Sequence, residues 1–232
     1  MACTLIASES QESSSCGFAT LLVMMALAVV GTATSVLVLT SVVETHISAS
    51  TRDTTAALHA AEAAAQRALR DLRALDWAAV PSVGTSPVVD GPPSGVRTLA
   101  DGSPIDLDAE TADLTCGRHR PCTDTEVSAV TDSRPWGSGN PRWRLFLHAP
   151  MTAVAPGTFQ PLPLYLVVWI ADDPTEVDAD PAVDGRPDEP GHGVLLLAAR
   201  AYGPRGVRRT VQLAVERAGS ELRLLTQHEY AP

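Results

Sequence analysis

The chain has 232 residues, of which 45% are hydrophobic, 19% charged and only 4% aromatic. All 17 basic residues are arginine, set against 27 acids for a formal net charge of −10. That balance excludes a basic nucleic-acid binder, since phosphate contacts need concentrated positive charge, and four cysteines are too few for a disulfide-dense miniprotein.

The first seventeen residues are polar, with two glutamates and no basic residue. Residues 18–43 then run 26 positions without a charge or a proline. As a helix this stretch is about 39 Å long against a hydrocarbon core of roughly 30 Å, so it predicts a tilted membrane span. It is too long for the apolar core of a cleaved secretory signal, which is about 7–15 residues.

From Glu44 to Leu75 there is no proline or glycine and alanine is abundant, so helix propensity stays high. Leu58, Ala61, Ala65, Ala68, Leu72 and Leu75 recur every three or four residues and mark one apolar stripe, with Arg52, Glu62, Arg67, Arg70 and Arg73 mostly off it. The expectation is one helix over 18–75, its first half apolar all round and its second half amphipathic. Pro81 and Gly84 end it.

Residues 76–141 read as an irregular connecting region, rich in proline, glycine, serine and aspartate. Strand-like runs follow in a head over 142–232: Trp143–Ala149, Leu164–Ala171, Val194–Tyr202 and Val207–Val215, with a short terminal strand at Leu222–Thr226. Gly203-Pro204-Arg205-Gly206 reads as a hairpin turn. Together these predict an α+β fold, a long N-terminal transmembrane and amphipathic helix packed on a small antiparallel β-sheet head.

Gly17-Phe18 followed at once by an apolar helix resembles the class III signal and N-terminal helix of type IV pilins. The stretch from Arg52 to Ala64 is similar to the R-D-x-x-x-A-x-x-A-A-E-A signature of PilX-type minor pilins, with Glu62 at its acidic position. Ala199-Arg200-Ala201-Tyr202-Gly203 and Thr210-Val211-Gln212 are similar to the closing hairpin of those proteins. This resemblance implies that residues 1–17 are a leader and that a prepilin peptidase cuts after Gly17 and methylates Phe18. It implies a single pass of the inner membrane with a periplasmic head, and later incorporation into a pilus fibre on the cell surface. The implied partners are other minor pilins, the major pilin and the inner-membrane assembly platform. Most pilins carry glutamate at the fifth mature position; here Leu22 stands there, and the related type II secretion pseudopilin GspK also lacks that glutamate.

Cys116 and Cys122 bracket a five-residue loop ending in proline, and an exported domain is a compartment for disulfides, so they are expected to be bonded. Zinc would need two further ligands, and no second cysteine pair is at hand. The acidic run 171–193 holds eight acids and one arginine. It reads either as a solvated, proline-broken loop or as a calcium site in which Asp172, Asp173, Asp178, Asp180 and Asp184 supply oxygens. The solvated loop is the first reading; GspK-like tip proteins bind calcium in their heads, and that resemblance adds some weight to the second.

None of the short catalytic motifs is present: no G-x-S-x-G, P-loop, H-E-x-x-H or G-x-G-x-x-G, and the six histidines are scattered. No enzyme is expected. The tryptophans at 77, 136, 143 and 169 read as core or interface residues rather than a stacking platform. Three functions remain in view: a PilX-type minor pilin that primes fibre assembly, a GspK-like pseudopilin, and a bitopic membrane protein with a periplasmic binding head.

Overall fold

The structure, a computed structural model, describes residues 9–75, 80, 85–157, 163–175, 193–218 and 221–230, with side chains from Phe18 onward. Helix α1 runs Glu9–Leu72. The chain divides into two compact units after Thr51. In the first, every residue from Phe18 to Thr51 is exposed. Among the described residues this is the one helix long and apolar enough to cross a membrane. Several of its hydroxyls do not demand water: Thr34, Ser35, Thr40 and Thr45 each donate to the carbonyl four residues back at 2.8–2.9 Å, which satisfies a polar group inside an apolar rod.

In the second unit the rest of α1 packs on a five-stranded antiparallel sheet. The helix stops three residues before the expected Leu75, where Ala74 and Leu75 make tighter turns onto Asp71 and Leu72. The sheet is a meander of β3 (Arg144–Pro150), β4 (Tyr165–Asp172), β5 (Val194–Tyr202), β6 (Arg208–Ala218) and β7 (Glu221–Tyr230). The four long expected strands thus stand within a few residues of their predicted ends. The terminal one is ten residues rather than five, because pairing with β6 carries it on where its own sequence shows no alternation.

Strand pleating sends alternate residues to opposite faces, and both faces of this sheet are covered. The inner face presents Leu166, Val168, Ile170, Leu197, Leu213 and Val215 to Ala57, Ala60, Ala61, Ala64, Ala65, Ala68 and Leu72 of α1. Alanine along the seam lets the helix axis lie close to the strands, so that strand side chains fill the layer between. The outer face presents Tyr165, Val167, Trp169, Ala198 and Tyr202.

What covers the outer face is the region expected to be irregular. It carries a two-stranded ribbon of β1 (Val96–Thr98) and β2 (Pro104–Asp106), then α2 (Leu107–Cys116) and α3 (Asp124–Val127). Ile105 and Leu107 plug the outer core. The elements are too short to show a period, yet α2 has clear punctuation. The Asp106 carboxylate accepts from the backbone N–H groups of Asp108 and Ala109 at its start, and Gly117 takes the left-handed conformation (φ 70°) that closes its end.

The hairpin between β5 and β6 is the predicted one. Gly203 is closely packed there, since a Cβ would come 2.8 Å from the end of the Leu164 side chain, which would have to shift. Arg205 takes a positive φ of 60°. It is held by a backbone N–H bond to the Asp101 carboxylate and by a side-chain ion pair with Asp53 of α1, contacts that offset the steric cost of that conformation.

Candidate functional site

Phe18 and Leu22 lie one turn apart on α1, and both are exposed. Gly17 lies within the same continuous helix. Glu62 sits beside the alanine seam, not in it, and its carboxylate meets the His59 imidazole at 3.1 Å. The residues expected to serve processing and assembly are therefore strung along one helix and do not converge.

Cys116 and Cys122 are bonded, with Cα atoms 6.2 Å apart. Cys116 is the last residue of α2 and Cys122 stands just before the cap of α3. That cap is reciprocal: Thr123 Oγ1 accepts from the Glu126 N–H, and the Glu126 carboxylate accepts from the Thr123 N–H at 3.0 Å. Arg120 in the loop donates to the same carboxylate at 2.5 Å. Arg120 first and the Thr123 backbone second pull the Glu126 carboxyl down to about 2. A covalent bond and an ion pair thus close the same small loop.

The outer face holds a polar cluster that the sequence did not reveal. Arg200 of β5 is buried, and its guanidinium donates to Glu110 Oε2 at 2.5 Å and to Thr210 Oγ1 at 2.9 Å. The Tyr202 hydroxyl donates to the same Glu110 oxygen at 2.6 Å. Arg200 also lies over the Trp169 ring, 5.4 Å from its centroid, while the Trp169 indole N–H donates to Thr111 at 2.8 Å. Burial, and then the charge of Glu110, hold the Tyr202 hydroxyl well above its ordinary pKa, outweighing the opposing Arg200. This cluster fastens α2 to the sheet; the one signal in sequence is an arginine inside an otherwise apolar strand.

A second buried group lies at the β3 edge. His148 is enclosed beneath the 86–90 segment, whose Asp90 N–H donates to the His148 carbonyl at 2.7 Å. Its Nδ1 has no partner among the described residues. Burial, aided by Arg97 and opposed by Asp90, lowers its pKa.

Of the expected calcium ligands, Asp172 closes β4 and is buried. Asp173 spends its carboxylate on Thr175, accepting from its N–H at 3.1 Å and its hydroxyl at 2.7 Å. Asp178, Asp180 and Asp184 lie outside the described residues. Among the described residues no three His, Cys, Asp or Glu side chains are grouped to hold a metal.

The tryptophans divide. Trp169 is fully buried as expected, Trp77 lies outside the described residues, and Trp136 and Trp143 line an outer-face cleft of about 480 Å³ beside the disulfide. Compared with protein-family models, curated proteins and solved structures, the chain matches none.

Proposed function

We propose that the chain is a PilX-type minor pilin, a structural subunit that primes assembly of a type IV pilus from the inner membrane. The observation that carries this reading is α1 itself. It joins an exposed apolar stretch that begins at Phe18 to an alanine seam packed on an antiparallel sheet. A helix of this kind is held in lipid before assembly and among the equivalent helices of other pilins afterwards. The head faces the periplasm and contacts neighbouring minor pilins, and its disulfide suits that compartment.

Leu22 favours a place at or near the fibre tip. A carboxylate in hydrocarbon costs about 2.5–3.5 kcal/mol on insertion scales, so it is kept where it meets a charge partner. Leucine removes that cost together with the means of receiving a neighbour's terminal amine. The amine of Phe18 still docks on another subunit, so this one is held from one side only and caps a polymer. The same leucine supports the second reading, a GspK-like pseudopilin of type II secretion.

Quantitative immunoblotting of sheared fibres tests the proposal. A few copies per fibre are expected, and deletion should reduce fibre number more than fibre length. Many copies spread along each fibre would remove the tip placement, and absence from fibres with unchanged piliation would remove the pilin reading.

A further inference from the structure

The chain has only ten aromatic residues, three Phe, four Trp and three Tyr. Three of them, Trp136, Trp143 and Tyr230, converge on the cleft of about 480 Å³ on the outer face of the head. Trp136 is 44% exposed and Tyr230 49%. Aromatic rings in a chain so poor in them would be expected in the core; here they line a concave surface of a size usual for small ligands.

The cleft is also held in shape. The buried Asn140 side chain donates to the carbonyls of Val127 and Ala129 at 2.8 and 3.0 Å, and its Oδ1 accepts from the Trp136 N–H at 3.2 Å. Arg134 donates to the carbonyls of Thr115 and Glu126, tying the same segment to α2 and α3. Cys116 of the disulfide forms part of the wall. A backbone fixed in this way costs a ligand little ordering on binding.

The polar lining has both hydrogen-bonding senses. Gln212 offers an amide donor and acceptor. Thr131 and Ser133 bring hydroxyls 3.3 Å apart. Asp113 adds a carboxylate, 27% exposed and 3.6 Å from Arg200, which acts only as an acceptor. A run of prolines also docks on aromatic grooves, but it has no N–H to donate to a carboxylate facing it. A pyranose fits all three features: an apolar C–H face for the rings, hydroxyls that donate to Asp113 and Gln212, and ring and hydroxyl oxygens that accept.

We propose that this cleft is a saccharide-binding site, with Trp136 and Tyr230 as the stacking surface and Asp113 and Gln212 fixing the hydroxyls. It belongs to the head and is independent of the pilin reading: it holds equally for a protein that never leaves the membrane.

The test is saturation-transfer NMR on the full chain in lipid nanodiscs, free of sugar-headed detergent. The probes are N-acetylglucosamine, its β-1,4 disaccharide, galactose, lactose and a decaproline peptide. At least one saccharide should receive saturable transfer, with affinity about tenfold weaker in Trp136→Ala and in Gln212→Leu and restored by Trp136→Phe. Both variants should keep the wild-type circular dichroism and an intact Cys116–Cys122 bond. Silence from all four saccharides, unchanged affinity in both variants, or binding by decaproline alone would overturn the assignment.

Discussion

Against α1, the sheet presents Leu166, Val168, Ile170 and Leu197 and meets alanines and Leu72. On its other face, Trp169, Arg200 and Tyr202 meet Glu110 and Thr111 of α2 through hydrogen bonds of 2.5–2.8 Å. The first interface is held by area and close approach, which are non-directional and roughly proportional to the apolar surface removed from water. The second adds a few directional contacts to its apolar core, and losing one partner strands the other in a buried place. A sheet can therefore bind one layer by periodic, tolerant packing and another by specific, brittle bonding.

The difference is sharpest at Glu110. Glu110→Ala takes from the buried Arg200 its nearer carboxylate, leaving Asp113 at 3.6 Å, and should destabilise the head by about 3 kcal/mol, read as a lower denaturant midpoint. Glu110→Ala combined with Arg200→Met should recover much of that loss. If the single variant melts like the wild type, the outer face is held by apolar contact alone.

On the inner face, Leu72→Ala removes a fully buried side chain and should cost about 2–5 kcal/mol. Ala64→Leu overpacks the seam and should cost about 1–3 kcal/mol. Leu27 and Ala28 are exposed on the apolar half of the same helix. Leu27→Ala and Ala28→Leu should therefore leave the melting temperature of the head unchanged, and an equal effect at both ends would break the distinction.

Reducing Cys116–Cys122 should loosen the outer layer by about 2–3 kcal/mol, since the loop it closes is short. Thiol labelling of denatured, non-reduced protein should find neither cysteine reactive.

The smallest expected effect is pH-dependent and local to the outer-face edge. His148 has its folded pKa below the ordinary 6.5 through burial. Below 6.5 the unfolded chain therefore binds a proton that the folded chain resists, and stability falls as pH drops from 6.5 toward the folded value. The melting temperature should decline over that window in the wild type and less in His148→Gln. A slope of the same size in both would assign the titration elsewhere.

The inner interface was legible because its information is local. Alanine and leucine recurring on one helical face, and apolar runs such as Val194–Tyr202, each carry their own period. The Cys116–Cys122 bond was legible for the same reason, as both partners lie within one short loop. The outer layer was not. Arg200 and Glu110 are 90 positions apart, and neither residue signals that the other exists. Residues 96–127 fold into elements of three to ten residues, too short for a period, and only Asp106 and Gly117 mark where α2 begins and ends. Trp136 and Trp143 read as core or interface by composition, and only the placement of β6, β7 and α2 around them makes a cleft.

The proposed pilin function turns on the bond between Gly17 and Phe18, since on that proposal the apolar half of α1 would serve a fibre only after the leader is removed. Mass spectrometry of the intact protein, purified from cells with an active prepilin peptidase, reads that bond directly. The account predicts an N-terminus at methylated Phe18, lost when the peptidase is inactivated. A chain that still begins at Met1 or Ala2 in those cells would contradict it.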